Sequence, residues 1–132
     1  MNKYGVVAVH AARLILDDNN VKPVTAWNSA ATNVFGEGTS QQKKGCPKNS
    51  FLGLCEEGLV NGIHKGKYTF TDGPQLNKQY AVRAVQILRS KPELIEDKSA
   101  LWREVLNGVQ KQHNSQMDVV LALWNSKLIV EE

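Results

Sequence analysis

The sequence predicts an all-α domain of six helices, set as two pseudo-symmetric three-helix halves. Three observations predict it. Apolar residues recur at helical spacing in six separate segments. The second half of the chain also echoes the first. Tyr4-Gly5-Val6-Val7-Ala8-Val9 with Arg13 is answered by Tyr80-Ala81-Val82-Arg83-Ala84-Val85 with Arg89, Trp27 by Trp102, and residues 51–60 by residues 120–129. The offsets are 76, 75 and 69, so the two copies stay in step until about six residues drop out within the 36–45 stretch. Finally, 132 residues suit one domain with a self-sufficient core. The boundaries expected are half one at 1–62, a connector at 63–75 and half two at 76–130.

The first helix is expected over residues 2–17, with Tyr4, Val7, Ala8, Ala11, Leu14 and Ile15 inward. Val6, Val9 and Leu16 widen that stripe, while His10, Arg13 and Asp17 mark the wet side. The second helix starts at Pro23, because proline at a first helical position sacrifices no hydrogen bond. It buries Val24, Trp27, Ala31, Val34 and Phe35 and stops at Gly36. Residues 36–45 read as a polar loop. The third helix opens with Pro47, carries Phe51, Cys55 and Leu59 on one line, and stops at Gly62.

In the connector, Tyr68 and Phe70 are expected to tuck onto the helices, since a lone strand at 68–71 has no partner. The fourth helix spans residues 77–89. Ser90 and Glu93 have capping-box spacing ahead of a fifth helix bearing Leu101, Trp102, Val105, Leu106 and Val109. Ser115 and Asp118 have a similar spacing ahead of the sixth, with Met117, Val120, Leu121 and Trp124 inward. The content of the duplication is two units, neither able to cover its apolar face alone, packed about an approximate two-fold axis.

Composition narrows function. Sixteen Lys and Arg against thirteen Asp and Glu give a net charge of +3, which permits an anionic partner without demanding one. No run approaches the length of a membrane span, and the N-terminus lacks a signal-peptide pattern. Two cysteines make no disulfide framework. Cys46 and Cys55 on one helix would sit about 13 Å apart, beyond the reach of a bridge. Reduced thiols and a cytoplasmic location are expected. The three histidines have no metal-ligand spacing, so neither metal nor cofactor is expected.

The strongest candidate site is Lys43, Lys44, Gly45, Cys46, Lys48, Asn49 and Ser50 at the start of the third helix. A helix N-terminus directs N–H groups and partial positive charge outward, and the lysines add full charges. With Pro47 exposed at its tip, this would hold a phosphate or carboxylate through the lysines and the amides of Asn49 and Ser50. No Walker spacing is present. As a thiol beside lysines, Cys46 is a candidate nucleophile, with His64 or His113 as base and Asn114 or Asp118 orienting His113. The bland reading of Cys46 is a cap position matching Ser115. Cys55 reads as core, and Glu56-Glu57 as a solvated face rather than an acid–base pair.

Helix-turn-helix recognition fits poorly, since about ten residues part helices two and three and the sixth helix is short of basic residues. Lys43, Lys44, Lys48, Lys65 and Lys67 nevertheless keep nucleic acid as an alternative partner. The leading expectation is a non-catalytic binding domain taking an anionic small molecule or acidic protein segment, away from any membrane. The alternatives are nucleic-acid binding and a cysteine-dependent enzyme.

Residues 42–59 (QKKGCPKNSFLGLCEEGL) and 113–124 (HNSQMDVVLALW) resemble the central and C-terminal motifs of an uncharacterised family of small bacterial proteins. The resemblance implies a bacterial or phage origin, and no assigned activity or catalytic residue.

Overall fold

Helix α1 (Lys3–Asp17) begins where the Asn2 side chain accepts from the amides of Tyr4 and Gly5. In this computed structural model, which describes residues 2–69 and 73–131, the chain is all-α. The helices are α1, α2 (Pro23–Phe35), α3 (Ser40–Lys43), α4 (Gly45–Glu56), α5 (Leu76–Ser90), α6 (Lys98–Leu106) and α7 (Gln116–Asn125), with a 3-10 turn at Pro92–Glu96. The expected seat of Phe70 lies outside the described residues.

Pro23 and Gly36 bound α2 as the sequence predicts. Elsewhere the boundaries move. The loop expected at 36–45 contains the short helix α3, capped by the Thr39 hydroxyl accepting from Gln42 N–H. Helix α4 starts two residues before Pro47 and ends at Glu56 rather than Gly62. Ser90 closes α5 instead of capping α6, and Asp97 caps α6 by accepting from Ala100 N–H at 3.0 Å. Because α6 ends at Leu106, Val109 falls outside it and is exposed. Val6 and Leu16 are also exposed, so the buried stripe of α1 is narrower than expected.

The core is continuous, with Trp27, Phe51, Leu54, Val85, Leu88, Leu101, Met117 and Leu123 fully buried. Helix α1 packs on α2 and α7, α5 packs on α4 and α6, and α4 meets α7 between them. Gly53 allows a close approach between α4 and α5. A Cβ there would lie 2.5 Å from Lys78 Cβ and 2.7 Å from its α-carbon, so only glycine lets α4 and α5 touch at this point.

Helices α4 and α7 end with the same bonds, 69 residues apart. Gly58 N–H donates to Cys55 O and Leu59 N–H to Leu54 O, a Schellman ending with Gly58 at φ +70°. Lys127 N–H donates to Trp124 O and Leu128 N–H to Leu123 O, with Lys127 at φ +60°. The chain leaving each ending then pairs with the other. Val60 and Ile129 form an antiparallel bridge. Asn61 N–H donates to Leu128 O at 2.8 Å, and Val130 N–H to Leu59 O at 2.9 Å. Exchanging each residue for its counterpart turns one of these bonds into the other.

Candidate functional site

The start of α4 spreads the sequence-predicted site over several places. Lys44 is its N-cap, in extended conformation and without a side-chain capping bond. Starting at Gly45 leaves the amides of Gly45 and Cys46 as first-turn donors, while those of Asn49 and Ser50 fall within the helical ladder. Pro47 is buried rather than exposed, and Ser50 is fully buried with its hydroxyl donating to Cys46 O at 2.9 Å. The expectation of an open helix tip therefore fails at Pro47. Lys44 Nζ stands 5.5 Å over the Tyr4 ring, on a cation–π contact. Asn49 faces a small hollow shared with Lys78 and Lys111.

Lys43 and Lys48 do come together. They line a groove of about 740 Å³ against α2. One wall is the outward stripe of α2, Thr25, Asn28, Ser29, Thr32 and Asn33, and the other carries Glu37, Gln42 and the two lysines. Helix α2 contains no charged residue, so its exposed face offers only neutral hydroxyl and amide groups. Gln42 is held across the groove, its Nε2 donating to Thr32 Oγ1 at 3.4 Å.

The start of α7 is a satisfied polar network. Ser115 has φ +69° and makes no capping bond, contrary to its expected role. His113 caps instead, its Nε2 accepting from Met117 N–H at 3.0 Å. A ring accepting there is neutral and carries its proton on Nδ1. It lies edge-on to Trp102, with centroids 5.1 Å apart. Burial pushes its pKa below the usual range. Asp118 opposes that shift, and Lys98 and Lys44 add to it. Gln116 is fully buried; its Oε1 accepts from Asn114 N–H and its Nε2 donates to Asn77 Oδ1. Lys98 pairs with Asp118 at 2.9 Å.

Glu56 lies at the opposite end of α4, buried and not on a solvated face as expected. Its Oε2 accepts from Tyr68 N–H, Thr69 N–H and the Thr69 hydroxyl at 2.7, 2.8 and 2.8 Å. Its Oε1 takes Lys78 Nζ at 3.0 Å. Burial alone would raise the carboxyl pKa, but these donors outweigh it and bring it down to about 2. The carboxylate fixes the connector. Nothing local in the sequence marks it, because its partners lie 12 to 22 residues downstream.

The nucleophile candidates separate by environment. Cys46 is half-buried. Cys55 is fully buried, and desolvation pushes its thiol far above the usual range, as its core reading requires. The Nε2 of His113 is committed to the Met117 amide, and His64 is exposed with its carbonyl accepting from the Tyr68 hydroxyl. Both cysteines are free thiols. Among the described residues, no group of three His, Cys, Asp or Glu is placed to hold a metal, and no helix is long and apolar enough to cross a membrane.

Fold and site together define a small all-α domain with a polar groove and internally satisfied polar clusters. The chain belongs to a family of unknown function, DUF6979, whose model matches residues 1–130. No curated protein and no solved structure matches it.

Proposed function

We propose that this domain is a non-catalytic binding module that holds an anionic group, phosphate or carboxylate, in the groove between α2 and the α3–α4 junction. One observation carries the reading: Lys43 and Lys48 line the same groove as the uncharged hydrogen-bonding face of α2. Two cations outnumber the one carboxylate, Glu37, and with the flanking hydroxyls and amides suit an anion whose remaining polar atoms also need partners. The α4 tip contributes less than its sequence suggests, because Pro47 and Ser50 are buried and Lys44 is engaged with Tyr4.

The test is a thermal melt with inorganic phosphate against chloride at matched ionic strength. A ligand bound only to the folded state raises the midpoint with concentration. The rise is expected for the wild type and for Lys44→Ala, and is lost in the Lys43→Ala, Lys48→Ala double variant. An equal rise in the double variant, or no rise in the wild type, overturns the reading.

A further inference from the structure

The α2 groove is larger than an anion alone requires. Its volume of about 740 Å³ falls in the range of about 300–1,000 Å³ usual for a whole small molecule. Its walls depart from the usual pattern, in which apolar side chains predominate and a few polar groups fix orientation. All nine residues lining the groove are polar or charged, with no aliphatic or aromatic side chain among them. An apolar ligand body has nothing to bury against, and a nucleobase has no ring or guanidinium to stack on. A ligand that fills this space presents hydroxyl groups along its length.

Glu37 leads to the same chemistry by charge. It lines the groove together with Lys43 and Lys48, and among the described residues none of the three joins an ion pair. A carboxylate repels a bare anion, but it accepts hydrogen bonds from hydroxyls. Glu37 follows Gly36, the C-cap of α2, where the helix's own partial charge is also negative. From that end the wall runs back along α2 from Asn33 to Thr25, about 12 Å of helix. Asn28 stands half-buried on it and offers both an amide donor and an amide acceptor.

Resting on the reading of this groove as an anion site, we infer that its ligand is a phosphorylated polyol of the sugar-phosphate class. Lys43 and Lys48 take the phosphate. Glu37 accepts from hydroxyls at the other end of the ligand, and Asn28 with its neighbours on α2 bonds those between. The absence of a stacking surface sets this ligand apart from a nucleotide, and Glu37 sets it apart from inorganic phosphate.

Sorbitol 6-phosphate and hexyl phosphate test it, since they carry the same phosphate on the same carbon chain and differ only in the hydroxyls of the first. In amide chemical-shift titrations of the full chain, both are expected to move residues of α2 and of 37–48. The polyol phosphate binds about tenfold tighter, the size of one or two net hydrogen bonds. Glu37→Gln and Asn28→Ala each cut that ratio about threefold, while hexyl phosphate binds as well or better. Unchanged amide spectra away from the groove verify that both variants keep their fold. Equal affinities in the wild type, a ratio unchanged in both variants, or a single-stranded oligonucleotide that outbinds sorbitol 6-phosphate overturns the inference and leaves the anion site standing. No binding of either phosphate, or binding that survives Lys43→Ala with Lys48→Ala, ends both.

Discussion

Helices α4 and α7 end alike and begin differently. Both terminate in the same pair of reversed hydrogen bonds, yet α4 opens on Lys44 with no capping side chain while α7 opens on the His113 ring. Residues 44 and 113 lie 69 apart, the same spacing as the matched endings. Their difference teaches that endings, which meet at the Val60–Ile129 bridge, are held to one geometry. Beginnings face separate surroundings and are solved separately. A second contrast lies at the last helical residue, where buried Glu56 clamps the connector and Asn125, 69 residues on, is exposed.

The largest effect should come from that contrast. Removing Glu56 strands two backbone donors and Lys78, so Glu56→Ala is expected to cost about 3 kcal/mol, while Asn125→Ala stays within about 0.5 kcal/mol. Denaturant unfolding of the pair gives both numbers, and equal costs would break the contrast. The carboxyl's pKa is depressed from 4.5 to about 2. Its stabilisation is therefore complete above about pH 4.5 and is lost as pH falls toward 2. Glu56→Gln should flatten that acid limb.

Next comes Gly53, whose counterpart is Ala122. Gly53→Ala forces α5 away from α4 and is expected to cost about 2 kcal/mol, whereas Ala122→Gly costs about 1 kcal/mol. Similar penalties in thermal melts would mean that the two helix crossings are equally close.

The contrast between beginnings is smaller. His113→Ala removes a cap and should cost about 1 kcal/mol, against about 0.5 kcal/mol for Lys44→Ala. Because the folded His113 pKa is depressed, its contribution is present above the ordinary value of 6.5 and is lost as pH falls through the depressed one. A wild-type melt that weakens from pH 7 to pH 5, and weakens less in His113→Ala, confirms the cap.

The last comparison sharpens the likeness of the endings. Lys127 holds a left-handed conformation that glycine adopts without strain. Lys127→Gly should gain about 1 kcal/mol and Gly58→Ala should lose about as much. Opposite signs in urea midpoints are the expected signature.

The all-α class, the run of α2 from Pro23 to Gly36 and most of the core were legible because helical spacing and terminal residues are local signals. Residues 51–60 and 120–129, which echo each other in sequence, meet at the Val60–Ile129 bridge. What failed was decided at a distance. Glu56 beside Glu57 reads as wet until the connector folds onto it. Ser115 is a better capping residue than His113 by local chemistry, but Trp102 sets the imidazole edge-on above the α7 amides. Gly62 looked like the stop of α4 because Gly58, four residues earlier, is another glycine and only the backbone shows which reverses the chain. The seven candidate ligand residues were contiguous in sequence but fan out around a helix start, and only Lys43 and Lys48 share the α2 groove.

The seam at the bridge also dictates an order of events during synthesis. Leu59 O and Asn61 N–H find their partners only in Val130 and Leu128. On the ribosome, the opening half of the polypeptide must wait, with those groups still hydrated, until nearly seventy further residues have emerged. Closing the seam therefore follows the emergence of residues 128–130.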